Sequence, residues 1–259
     1  MFSRQYPFLN PSAESARQTV GMNLLCELHA HTTWSDGDLS LPEVVDLYGR
    51  AGYDVLCITD HVVRSHTMIT EEVFAPYLRA IQLENARAQA QYGMSVIPGL
   101  ELTWDDADPA WAAHAVVIGV HTYIGLDDGM DAALERANSL GAAVIAVHPH
   151  ALESDPTPGR TTRRWWLDRD LRALAHRFEL INRNHVFAWV AEGELPAVAG
   201  GDFHVEAHLS TWKTVIPGPR TASSVINYLR SPQPAMIVHP ASGAQRRELD
   251  VEQLVAVSA

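Results

Sequence analysis

The sequence predicts a single α/β domain, built as a barrel or as an open sheet. Three observations lead there. Short apolar runs alternate with helix-like segments across residues 23–240. The early runs, NLLCELH at 23–29 and DVLCIT at 54–59, are almost continuously apolar, as parallel strands covered on both faces must be. Histidines and acids recur where these runs end, and α/β folds carry their chemistry at the C-terminal ends of strands.

The elements follow in order. Residues 1–22 read as an N-terminal extension, without the continuous apolar stretch of a signal peptide. The first strand spans 23–29. Ser40-Leu41-Pro42-Glu43 then has the form of a capping box with proline in the first turn, opening a helix that runs to about Arg50 and stops near Gly52. After the strand at 54–59, a long polar-faced helix is expected over 71–92. Strands at 95–101 (SVIPGLE) and 113–120 (AHAVVIGV) lead to a helix at 129–140, ended by Gly141, and a strand at 142–147 (AAVIAV). The turn-rich segment 153–163 reads as a surface loop. Helix 164–177, strands 178–182 (FELIN) and 197–201 (AVAGG), a short run at 214–216, helix 221–230 and a run at 235–238 complete the domain. Residues 241–259 read as a helical tail. Nothing in the gaps 114–148 or 148–202 leaves room for a large cap.

Composition narrows the function. A chain of 259 residues that is 47% hydrophobic can bury a sizeable core. The net charge of −12 is opposite to that of a general nucleic-acid binder, so no stable nucleic-acid complex is expected. Bound divalent cations would reverse the local field, so acidity leaves a phosphorylated substrate open. No run approaches the roughly 18–20 apolar residues of a membrane span, which with the missing leader points to the cytoplasm. Cys26 and Cys57 lie in apolar runs and read as buried free thiols. Of the 19 basic residues one, Lys213, is lysine.

The metal-ligand residue types fall in a pattern. His29 and His31 end the first strand, and Asp36 follows five residues after His31. Asp60 and His61 end the second strand, and Glu101 ends the third. His148 and His150 end the fifth, and Asp202 and His204 end the strand at 197–201. His114 departs from the pattern by starting its strand. Each alone is more often a structural residue, but jointly they have no structural reason to cluster at one end of a sheet. His29, His31, Asp36, His61, Glu101, His114, His148, Asp202 and His204 are nine candidates, where one zinc needs three or four. Nine suit two or three divalent ions, and imidazole plus carboxylate without thiolate fits zinc, manganese or iron. The remaining histidines, at 66, 121, 176, 185, 208 and 239, read as structural or surface residues, and His150 and His185 are the two most open to another role.

The motifs HAH (29–31) with Asp36, TDH (59–61), GLE (99–101), His114, AVHP (146–149) and GDFH (201–204) resemble, in order and spacing, those of the PHP family, named for its polymerase and histidinol-phosphatase members. The resemblance covers about 23–240. It implies a distorted (β/α)7 barrel with two or three metals in its mouth. One would take His29, His31, Glu101 and Asp202; a second Asp36, His61 and His204; a third would share Glu101 and take His114 and His148. Asp36 stands where many members carry histidine and some carry aspartate. The expected reaction is hydrolysis of a phosphate ester of a small metabolite or nucleotide by a metal-bridging hydroxide. Cyclic or oligonucleotide diesters are the alternative; a mononuclear amidohydrolase and a non-catalytic metal-binding module come after it. Arg183, just beyond the strand at 178–182, is the first choice for a phosphate clamp, ahead of Arg160, Arg163 and Arg164. His185 or His150 would protonate the leaving group.

Overall fold

A computed structural model describes residues 23–63, 68–151 and 162–240. The expected extension at 1–22, the tail at 241–259, most of the loop at 153–163, His66 and Arg160 lie outside the described residues.

The chain runs β1 (Asn23–Glu27), α1 (Leu41–Arg50), β2 (Val55–Ile58), β3 (His61–Val63), α2 (Glu71–Tyr92), β4 (Ser95–Trp104), β5 (Ala113–Ile118), α3 (Met130–Ser139) and β6 (Ala143–Ala146). It continues through α4 (Arg164–Leu167), α5 (Arg169–Ala173), β7 (Arg177–Asn182), β8 (His185–Val186), α6 (Ala188–Glu192), β9 (Ala197–Gly200), a 3₁₀ turn at Glu206–Ser210, β10 (Lys213–Pro217), α7 (Ala222–Arg230) and β11 (Met236–Val238). Helix starts follow local chemistry. The Glu43 carboxylate accepts from the Ser40 N–H at 2.8 Å and the Ser40 hydroxyl at 2.6 Å at the head of α1. Gly93 ends α2 in the left-handed region at φ 66°, where a side chain would be strained.

The fold is a distorted α/β barrel. Pairing runs β11-β10-β1-β2-β4-β5-β6-β7-β8, with β3 added to β4 and β9 to β7. The ring closes between β9 and β10 through a side chain: the Thr214 hydroxyl accepts from the Ala199 N–H at 2.8 Å and donates to the Ala199 carbonyl at 2.7 Å. Alternate residues of each strand face opposite ways. Cys26, Cys57, Ile97, Val116, Ile145 and Val198 fill one core with Val225 and Leu229 of α7. Leu56, Ile58, Val96, Val117, Val144 and Ala146 point into the other, against the surrounding helices.

The structure differs from the sequence expectation in three places. β5 is antiparallel to both β4 and β6, and β10 is antiparallel to β1, so the sheet is mixed. Helix 164–177 is instead two short helices, because the Asp168 side chain accepts from the backbone N–H groups of Asp170 and Leu171 and starts a new one. β3, β8 and α6 are too short to show a period in sequence.

A buried ion pair ties the closure together. Lys213 and Glu27 are both fully buried and lie 2.7 Å apart. Lys213 also donates to the His208 carbonyl at 3.1 Å and the Thr211 hydroxyl at 2.8 Å. Glu27 accepts from the Tyr48 hydroxyl at 2.8 Å, the Gly201 N–H at 2.8 Å and the His29 N–H at 3.1 Å. A Cβ at Gly201 would sit 2.1 Å from Glu27 Oε2 and 2.2 Å from Lys213 Nζ, so this position has no room for one. Removing one member strands a buried charge, which costs about 3–5 kcal/mol. Lys213→Met is expected to lower unfolding stability by that amount in denaturant titration; a loss under about 1 kcal/mol would show that the pair is dispensable.

Candidate metal centre

The strands deliver their side chains to one mouth. Past the end of β1 the chain zips onto the segment after β9: Ala30 bridges Phe203, the His31 N–H donates to the Phe203 carbonyl at 2.9 Å, and the Phe203 N–H donates to the His29 carbonyl at 3.0 Å. This puts the HAH and GDFH motifs side by side. His61 opens β3 directly beside Glu101 of β4. His114 is the second residue of β5, opposite Thr103. Because β5 runs backwards, its first residue lies at the C-terminal end of β4, which resolves the departure seen in the sequence.

Glu101 is the point of convergence. Its Oε2 lies 2.9 Å from His29 Nε2, 3.1 Å from His31 Nε2 and 3.4 Å from His61 Nδ1. Its Oε1 lies 3.0 Å from His114 Nδ1 and 3.3 Å from His148 Nε2. Asp36 Oδ1 faces His204 Nε2 at 3.3 Å, His61 Nε2 at 3.5 Å and His31 Nδ1 at 3.8 Å. Asp202 Oδ1 is 3.6 Å from His31 Nε2 and 3.7 Å from His29 Nε2. All nine candidates are thus brought together. Three sets have ligand atoms within 4.8 Å of one another: His31, Asp36, His61 and His204; His29, Glu101 and His148; and His29, His31 and Asp202. These parallel the expected partition in part: His31 joins the second set, Glu101 is missing from the set of His29, His31 and Asp202, His29 stands with Glu101 and His148 where His114 was expected, and His114 stands outside all three, bracketed by Glu101 and, at 2.9 Å, by Asp105.

The residues fit divalent cations. His31 is completely buried, and neither of its ring nitrogens makes a well-directed hydrogen bond, although Glu101 Oε2 comes within 3.1 Å of Nε2. An unsatisfied buried polar group costs about 1–3 kcal/mol, and an ion of the kind nitrogen and carboxylate donors select would satisfy it. Orienting partners are also present. Glu179 Oε1 lies 3.1 Å from His29 Nδ1, while its Oε2 accepts from the His148 N–H and from Asn182 Nδ2, each at 2.8 Å. Thr103 Oγ1 is 2.6 Å from His61 Nδ1, and the Asp202 carbonyl is 3.0 Å from His204 Nδ1. Three residues here, His148 (φ 32°), Arg183 (φ 52°) and Asp202 (φ 43°), adopt the left-handed backbone that side chains disfavour. Such strain concentrates at functional sites.

Crowded charge sets the protonation states. Burial works against the His29 cation, but Glu101, Asp202 and Glu179 outweigh it and hold its pKa well above the usual value. Burial likewise opposes the His114 and His204 cations, yet Asp105 and Glu101 push His114 up to about 9, and Asp202 and Asp36 push His204 up to about 10. Burial lowers His61 to about 4 and raises Asp60 to about 6. Asp60 is not in the ligand sets: it accepts from the Thr32 N–H and the Thr32 and Ser35 hydroxyls and so secures the turn leading to Asp36.

The other candidates fall around the mouth. A cleft of about 580 Å³ is lined by Asp36, His61, Glu101, His114, His148, Asp202 and His204, and also by His150, Arg183 and His185. Arg183 donates through Nε to the Asp202 carbonyl at 3.1 Å and pairs through Nη2 with the Asp202 carboxylate at 3.0 Å. His150 and His185 pack together, ring centroids 5.4 Å apart. Arg164 is instead bound to Asp131 at 2.8 Å and Asp168 at 3.1 Å, and Arg163 lies over Trp166. His208, read as structural, accepts from the His204 N–H at 3.1 Å and also lines the cleft. Glu179 and Thr103 were not legible, since a lone acid or threonine in a strand carries no spacing signal, and Asp105 lies just past β4 in an acidic run that does not single it out.

A metal ligand must be a neutral imidazole, so metal binding at pH 7.5 has to expel protons from His114 and His204. Calorimetric manganese titrations in buffers of differing ionisation heat should show net proton release, with affinity rising from pH 6 to pH 9. Both folded-state values exceed the unfolded 6.5, so they stabilise the metal-free fold fully below about pH 6.5. That stabilisation is lost as pH rises through about 9 to about 10. The metal-free Tm should fall over that interval. A titration with no proton release would remove both residues from the ligand set.

Comparison with known proteins agrees with the geometry. The PHP domain model matches residues 27–152. The fold is similar to a two-domain protein from Bacteroides vulgatus containing a predicted PHP-like metal-dependent phosphoesterase, with a TM-score of 0.63 and 18% identity over 92% of this chain and 70% of that one. An amidohydrolase from Chromobacterium violaceum superposes with a TM-score of 0.50 and 16% identity, over 84% of this chain and 98% of the other. A curated relative, the DNA polymerase/3'-5' exonuclease PolX of Bacillus subtilis, is 29% identical over 103 residues, 37% of this chain; the chain spans only 18% of that protein's length. The motif residues gathered in one mouth lie largely within the stretch that the PHP domain model matches, so residues 27–152 are similar to a PHP domain.

Proposed function

We propose that the protein is a metal-dependent phosphoesterase acting on a small phosphorylated metabolite or nucleotide. The observation that carries this reading is the gathering of five imidazoles on the Glu101 carboxylate at an open cleft. Two or three divalent ions held by the nine residues, manganese, zinc or iron, would acidify a bound water and offset charge on phosphoryl oxygens.

The chain's own groups have distinct tasks. Glu179, Thr103 and the Asp202 carbonyl hold the rings of His29, His61 and His204 in fixed orientations. Arg183 steadies Asp202 through Nε and Nη2, and its Nη1 makes no hydrogen bond among the described residues. That free arm is the cation for a phosphoryl oxygen. His150 and His185 stand in the cleft wall as proton donors for the leaving oxygen. An amidohydrolase of the carboxylated-lysine kind finds no support here, since the Lys213 ammonium is held by Glu27, the His208 carbonyl and Thr211. No helix among the described residues is long and apolar enough to cross a membrane.

Manganese-loaded protein should release phosphate from a panel of sugar phosphates, histidinol phosphate and nucleoside monophosphates, and Asp202→Ala should abolish release. Cleavage of a bis-aryl diester with no monoester turnover would move the reading to diesters, the bond type suggested by the exonuclease relative. Silence on all substrates by metal-loaded protein would overturn it in favour of a metal-binding module. Arg183→Ala should raise KM or lower kcat/KM about tenfold or more, the size expected for a hydrogen bond to a charged group.

A further inference from the structure

Beyond the ligand cluster the cleft changes character. Phe187 and the rings of His150 and His185 line it together, with Val63 and Met68 also in the lining. The three rings form one mutually packed group. His185 stacks on Phe187 at a centroid distance of 4.7 Å and an interplanar angle of 29°, and His150 meets Phe187 edge-on at 5.0 Å and His185 at 5.4 Å. The group is held firmly. The Phe187 N–H donates to the Leu180 carbonyl at 2.8 Å, Asn182 and Ile181 of β7 pair with His185 and Val186 of β8, and Trp189 Nε1 donates to the Pro149 carbonyl at 2.6 Å beside His150. Phe187 is buried and His185 is exposed, so the stack presents an imidazole backed by a phenyl ring.

The same hairpin carries Arg183 in its turn, between Asn182 and His185. The residue that reaches for the phosphoryl group and the ring that heads the stack are therefore two positions apart on one rigid element. Charge restricts what lies against the rings. Among the described lining residues Arg183 is the one guanidinium and there is no lysine, while Asp36, Glu101, Asp105 and Asp202 are all acids. A second anionic group placed against the rings, away from the ligand cluster, would find no further guanidinium or ammonium among the described lining residues.

Resting on the phosphoesterase reading, we propose that the His150–His185–Phe187 stack is the leaving-group subsite, and that the preferred substrate is a phosphate monoester whose alcohol carries an uncharged aromatic ring. Aromatic rings stack on one another with an advantage over saturated rings of equal size, through complementary face and edge charge, equivalent to about two- to tenfold in affinity. A saturated ring of the same bulk would bury similar area without that contribution.

The test compares benzyl with cyclohexylmethyl compounds, which match in charge and nearly in size. Binding of the two phosphonates to manganese-loaded protein is measured by calorimetry, which does not require turnover. The benzyl compound should bind about three- to tenfold tighter to the native protein and to His185→Phe, which keeps a ring without a proton to give. In His185→Ala the ratio should fall to near one. Equal binding by the native protein, or a preference that survives in His185→Ala, overturns the subsite, as does failure of both phosphonates to bind. If the variants do not fold, the ratio in the native protein still decides. Hydrolysis of benzyl and cyclohexylmethyl phosphates separates the two levels: turnover of both with no aromatic preference overturns the subsite and leaves the phosphoesterase standing. Aromatic-selective binding with no turnover of either upholds the subsite and removes the phosphoesterase.

Discussion

The buried pair of Glu27 and Lys213 is the constraint on which the rest of the structure depends. A carboxylate and an ammonium, both excluded from water, are tolerable only when every remaining lone pair and proton is used. Here they are. The demands of that pair reach in three directions: to α1 through Tyr48, to the start of the HAH motif through the His29 N–H, and to the GDFH motif through the Gly201 N–H. The seam between β9 and β10, where the barrel closes without a continuous backbone ladder, is thereby fixed from beneath the candidate metal centre. The chain's single lysine is held in the architecture, with all three ammonium protons used by Glu27, the His208 carbonyl and Thr211.

Above that seam the organisation is a second layer of buried carboxylates acting at different ranges. Glu101 gathers five imidazoles, and Glu179 sets the ring of His29 and the backbone of His148. Asp60 fixes the turn before Asp36. Concentrating negative charge this way holds several histidines protonated, so in the bare protein protons do the neutralising that cations would do. The left-handed backbone at His148, Arg183 and Asp202 belongs to the same design, because hydrogen bonds hold each one: the His148 N–H donates to Glu179, the Arg183 N–H to the Gly200 carbonyl, and the Asp202 carbonyl accepts from Arg183 Nε. Strain of this kind persists only where the surroundings over-determine it.

Much of this was legible in the residues. The nine ligand candidates could be picked out because they share donor chemistry and recur at the ends of apolar runs, and the structure brings all nine into one mouth. The free thiols, the capping box at Ser40 and the helix at 71–92 were also readable, since each rests on local spacing or composition. Trp165 is completely buried against Phe178, whereas Trp111 and Trp166 are exposed. The misreadings have physical causes. An apolar run looks the same in either direction, so the reversal of β5 was invisible, and Asp168 splits a helical period that otherwise continues.

The sequence by itself determined the candidate donor residues, their order along the chain and the alternation of strand and helix, because these are properties of residue type and of short-range periodicity. Only the tertiary structure decided which residues support that set. Glu179 meets His29 across 150 positions, and Glu27 meets the Gly201 N–H across 174. The same holds for the packing of His150, His185 and Phe187 into one stack. Such partnerships arise from strand order and closure of the ring, and no local pattern encodes a contact between segments that only the closed barrel makes neighbours.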